Sequence, residues 1–114
     1  MKSYTKEFLW ENRSCWILPD GTVFKVPQES HDDHLPSFCT DVKHAENTCV
    51  RVSCCWGYTA PISEIFLPKK LTTYQAQVLV GINESLKELE GNNIEKKIDI
   101  WHNPMSWNEI LEAV

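Results

Sequence analysis

Apolar and polar positions along this chain follow periods that change several times, and each change marks an element. In residues 14–26, two runs of aliphatic and aromatic side chains flank Pro19-Asp20-Gly21. Proline pre-sets φ and glycine accepts positive φ where a chain must reverse, so this segment predicts a β-hairpin. Residues 30–44 place Leu35, Phe38, Cys39 and Val42 at helical spacing, with Ser30 as the cap ahead of Asp32-Asp33. Pro36 lies inside that stretch and predicts a kink or a restart. From 48 to 56 the period becomes two: Val50, Val52, Cys54 and Trp56 face one side and Cys49, Arg51, Ser53 and Cys55 the other, as in a half-buried strand. A turn at 57–61 leads to an antiparallel partner over 62–67, closed by Pro68.

Thr72-Thr73-Tyr74-Gln75 is a capping box, in which the Thr72 hydroxyl and the Gln75 side chain each satisfy a backbone N–H of the other residue. Leu71, Gln75, Val78, Leu79, Ile82, Leu86 and Leu89 then recur every three or four residues up to Gly91, predicting one long amphipathic helix. Residues 97–101 predict a strand, and Ser106-Trp107-Asn108-Glu109 caps a last short helix. The order is β-β-α-β-β-α-β-α. It predicts a single α+β domain over 1–114, a mostly antiparallel sheet of about five strands with two to three helices against one face.

A length of 114 residues with 42% hydrophobic and 24% charged positions suits one folded domain and excludes a repeat array or a multidomain enzyme. No apolar run approaches the roughly 20 residues that cross a bilayer, and the first ten residues lack the pattern of a signal peptide. The expectation is a cytoplasmic protein with no membrane partner. The net charge of -5 lacks the positive field that gathers phosphates and disfavours direct binding of nucleic acid. Negative charge concentrates in two segments, which nominates Glu29, Asp32, Asp33, Asp41 and Glu46 in the first and Glu84 and Glu88 in the second as an acidic surface for a basic partner.

Five cysteines, an odd set without repeated spacing, predict free thiols and no disulfide framework. The densest group of ligand-type side chains runs through His31, Asp32, Asp33, His34, Cys39, His44 and Cys49, with His31, His34, Cys39 and His44 as the candidate ligands. Its spacings match no common zinc pattern, so no metal or other cofactor is expected. Thiolate chemistry needs a helix N-terminus or a positive neighbour, a condition that only Cys39 and Cys55 approach. Adjacent carboxylates such as Asp32 and Asp33 diverge on a helix and form no acid/base pair.

Trp16-x-x-Pro19-Asp20-Gly21, with Val26-Pro27, His31 and Leu35, and then Leu71-Thr72-x-x-Gln75, resembles small proteins encoded in bacteriophage and prophage genomes. The resemblance implies an α+β fold and an origin in a mobile element, with no catalytic residues to carry over. By analogy with such proteins, an inhibitor of a host defence protein, of the anti-CRISPR kind, is the expected function. The chain is then a non-enzymatic binding module whose acidic face occupies a basic surface on a host protein. The alternatives are a protein that sequesters a small molecule in a pocket walled by Trp and His, and a small metal- or thiol-dependent enzyme. An exposed tryptophan face would permit a homodimer.

Overall fold

The computed structural model describes residues 4–26, 34–53, 64–90, 98–99 and 106–114. In chain order its elements are α1 (Lys6–Glu11), β1 (Cys15–Ile17), β2 (Val23–Lys25), α2 (Val42–Thr48), β3 (Val50–Ser53), β4 (Glu64–Phe66), α3 (Thr73–Glu90), β5 (Ile98–Asp99) and α4 (Trp107–Ala113). The sheet order is β2-β1-β3-β4-β5. The first four strands pair antiparallel, and the two-residue β5 joins β4 in parallel. The chain is therefore α+β, with four helices among the described residues where the sequence predicts two to three. The additional helix is α1. Its cap is Thr5, whose side chain accepts from the Phe8 N–H, and it buries Leu9.

The hairpin forms as its turn residues require. The Leu18 carbonyl accepts from the Gly21 N–H at 2.8 Å, and the Leu18 N–H donates to the Thr22 carbonyl at 2.8 Å. Gly21 takes φ +90°, a conformation that costs an L side chain energy and glycine none. A Cβ on Gly21 would lie 3.3 Å from the Tyr74 Cβ, so the turn also rests directly on the first turn of α3.

Alternation along the strands sends neighbouring side chains to opposite faces of the sheet. Cys15, Ile17, Val50, Val52, Ile65 and Leu67 join Leu9, Leu79, Leu86 and Ile110 in one core cluster, beneath α1, α3 and α4. Trp16, between Cys15 and Ile17, points the other way and packs with Val26, Ala45 and Cys49 of a second cluster at α2. Every residue of β1 is consequently buried. This corrects the expectation of helices against one face: a Trp16 only 1% exposed needs a cover of its own, and α2 supplies it. Next to it on β3, Arg51 places its guanidinium 5.2 Å from the Trp16 ring and donates to the Cys15 and Val52 carbonyls and to Ser14 Oγ.

One side chain joins the layers. Gln75 is fully buried, and its Nε2 donates to the Ile17 carbonyl at 3.0 Å and to the Thr48 carbonyl at 2.9 Å. Its Oε1 accepts from the Thr72 N–H at 2.9 Å, and the Thr72 hydroxyl accepts from the Gln75 N–H at 3.2 Å, which completes the expected capping box. The same hydroxyl donates to the Pro19 carbonyl at 2.7 Å. The start of α3, the end of β1, the end of α2 and the hairpin turn are thus tied at one point.

The helix expected over 30–44 is corrected. Residues 34–41 are not helical, and α2 starts at Val42 with Asp41 as its cap, accepting from the His44 N–H at 2.8 Å. Proline disfavours helix in the residue before it, and the chain turns helical only where the Asp41 side chain caps the first turn. Ser30, the expected cap, lies outside the described residues. No helix among the described residues is long and apolar enough to cross a membrane.

Candidate functional site

The residues singled out from sequence fall in separate places. Glu29, His31, Asp32 and Asp33 lie outside the described residues, as do Cys54 and Cys55. Asp41 is exposed but committed to capping α2, and Glu46 on the same helix is half-buried. Glu84 and Glu88 are exposed on α3, one helical turn apart and so on one face. Glu84 stands 3.9 Å from Lys87, a solvent-exposed pair worth little. The two acidic pairs belong to helices on opposite layers of the sheet, α2 on the Trp16 side and α3 on the other.

The ligand-type cluster also disperses. His34 is exposed and stacks on Phe24, ring centroids 5.2 Å apart, and His44 Nδ1 accepts from the Thr40 N–H at 3.3 Å. Burial pushes the Cys39 and Cys49 thiols up, Cys49 to about 11, and the Thr48 hydroxyl lies 3.6 Å from Cys49 Sγ. Thiols held protonated at neutral pH are weak nucleophiles, so the activation considered for Cys39 is reversed: burial raises it most, and the Asp41 carboxylate raises it further. No three His, Cys, Asp or Glu side chains among the described residues are arranged to hold a metal ion.

A concave site does exist where sequence reading named none. A groove of about 420 Å³ opens between α1, the hairpin turn and the first turns of α3. The Tyr4 and Phe8 rings form one wall, stacked with centroids 4.8 Å apart and an interplanar angle of 25°. The opposite wall is Tyr74 and Val78 of α3, with Tyr74 60% exposed. Asp20 stands at the turn, and it is the one charged residue among the described residues that line the groove. Its Oδ1 accepts from the Thr22 N–H at 3.0 Å. The hydrogen bonds from Thr22 hold its carboxyl below its ordinary value, so it is a carboxylate throughout the neutral range.

The local sequence builds each wall. Tyr4 and Phe8 flank the Thr5 cap four residues apart, which stacks their rings, and Ser85 Oγ of α3 accepts from the Tyr4 N–H at 2.9 Å. Gly21 lets the turn approach Tyr74 closely, and the bond from Thr72 to Pro19 fixes that approach. Beyond the groove, Gln77, Glu84 and Glu88 share one strip of α3 by helical spacing, so the carboxylates stand roughly 10 and 16 Å along the axis from its rim. The signals for this site were present in the sequence: Thr5 as a cap, Tyr4 and Phe8 at i,i+4, and an Asp-Gly turn. Each reads as structural grammar until the turn is seen to rest on α3. The pocket walled by Trp and His expected for sequestering a small molecule is not this groove, whose rings are two tyrosines and a phenylalanine. Comparison with known proteins gives no match among family models, curated proteins or solved structures.

Proposed function

We propose that this chain is a non-enzymatic protein-binding module that engages a basic surface of its partner through the α3 side of the fold. The observation that carries this reading is the exposed carboxylate strip of Glu84 and Glu88 on the helix that also walls a groove whose charged residue is Asp20. Complementary potentials of this kind chiefly steer encounter and select partners. The finer reading, an inhibitor of a host defence protein, rests on the sequence resemblance to phage-encoded proteins and on the acidic balance of the chain.

The coarse reading is tested with a fluorescein-labelled octa-arginine peptide followed by anisotropy across 50–300 mM salt. Binding that weakens with salt, and weakens further in Glu84→Lys/Glu88→Lys, supports it; binding indifferent to both overturns it. The finer reading is tested by expressing the chain in bacteria that carry a nuclease-based defence system and counting phage plaques. Restored plaque formation supports an inhibitor, and unchanged plaque numbers across a panel of such systems remove that assignment.

A further inference from the structure

The groove is more specific than the acidic strip beside it. Its walls are aromatic on both sides, it holds a carboxylate at the turn, and no basic side chain among the described residues lines it. Faces of aromatic rings carry partial negative charge and attract cations, most strongly where water is partly excluded. A volume of about 420 Å³ sits at the small end of ligand pockets, enough for one long side chain and part of its backbone. Val78 and the Phe8 ring offer an apolar lining for a methylene stem, and the Tyr74 ring and the Asp20 carboxylate offer partners for a charged head.

Resting on the protein-binding reading above, we infer that the groove formed by Tyr4, Phe8, Tyr74, Val78 and Asp20 receives the side chain of one lysine or arginine from a basic segment of the partner protein. The carboxylate strip at Glu84 and Glu88 then lies where the next basic residues of that segment, roughly three to five residues along an extended chain, would pass. The occupant is argued from charge complementarity: the groove offers ring faces and an anion, and a cationic head on an apolar stem matches both. Tyr74, a lining residue 60% exposed, has ring surface free to cover an inserted side chain.

The test is an NMR titration of the uniformly 15N-labelled chain with tetra-arginine amide, tetra-lysine amide and, as the uncharged control, tetra-serine amide, at 50 mM salt. The expected result is amide shifts at Gly21, Thr22, Val23 and Tyr74 with the cationic peptides and none with tetra-serine. Tyr74→Ala and Asp20→Asn are each expected to weaken binding about tenfold. Both variants keep the fold: Tyr74 is exposed, and an asparagine at position 20 retains the oxygen that accepts from Thr22. Shifts confined to residues around Glu84 and Glu88 overturn the groove and leave the acidic-surface reading standing. Equal shifts with tetra-serine overturn the cation assignment, and no shifts with any peptide overturn both readings together. Tetramethylammonium chloride separates the head group from the stem: shifts of the same amides at higher concentration support ring recognition of the cation, and shifts only elsewhere count against it.

Discussion

Replacing Gln75 tests whether one buried amide holds the layers together. Gln75→Met keeps the length and most of the volume but removes every polar atom, leaving the Ile17 and Thr48 carbonyls and the Thr72 N–H without the partners they have now. Leaving a buried group unsatisfied costs about 1–3 kcal/mol, and Gln75 itself is fully buried. Water can reach Thr72 and Thr48, both half-buried, so the fully buried Ile17 carbonyl dominates and the expected loss is about 2 kcal/mol. Against a total of about 5–15 kcal/mol for a typical domain, that is a large fraction. Gln75→Glu is harsher near neutral pH, because it aims a carboxylate at two carbonyl oxygens. Its folded-state pKa must rise above the unfolded value near 4.3, so the variant is least impaired below about pH 4 and loses stability as pH rises. Urea unfolding followed by tryptophan fluorescence reads both effects, with a midpoint expected to fall by about 1 M for Gln75→Met. A loss below about 0.5 kcal/mol for Gln75→Met, or a pH dependence of Gln75→Glu with the opposite sign, refutes the reasoning.

Two further outcomes follow from single residues. Burial pushes the Cys15 thiol up to about 12, with the Arg51 charge opposing in part. A folded pKa above the unfolded value near 9 gives stability that is complete below pH 9 and lost as pH rises toward 12, about 2 kcal/mol of it by pH 10.5. Thermal melts of the parent chain and Cys15→Ala between pH 7 and 10.5 are expected to show a shallower alkaline decline in the variant; parallel declines would count against this assignment. Gly21→Ala must accept φ +90° and a Cβ 3.3 Å from that of Tyr74, so a loss of about 1–3 kcal/mol is expected in urea titrations. A neutral effect would show that the turn can lift away from α3.

What the sequence made legible were the elements whose signals are local. The hairpin at Pro19-Asp20-Gly21, the Thr72–Gln75 capping box and the Ser106 cap each need only neighbours within a few residues, and all three form. Alternation in β3 likewise holds, with Val50 and Val52 buried and Arg51 and Ser53 half-buried between them. The start of α2 was missed because two competing caps, Ser30 and Asp41, look equally good in isolation, and Pro36 decides only that the helix breaks somewhere. The groove was missed for a different reason. Its residues come from three separated segments, and nothing in the spacing of Tyr4, Asp20 and Tyr74 announces that Thr72 bonds to Pro19 and draws the turn onto the helix.

The burial of β1 on both sides explains why the described members of the acidic surface divide. Trp16 and Ile17 are adjacent residues buried on opposite sides of β1, so the sheet must be covered twice, and the covers are α2 and α3. Asp41 and Glu46 go with the first cover, Glu84 and Glu88 with the second. A flat partner surface meets only one of them. The α3 side carries a concavity beside its carboxylates, made because Gly21 and Thr72 press the turn against Tyr74. Net charge spread over the whole molecule can raise the encounter rate with any basic protein, but persistence of a complex depends on a desolvated anchor. In this fold the two roles fall to different residues: the carboxylates steer, and the groove, built by the same contacts that hold the hairpin to α3, retains.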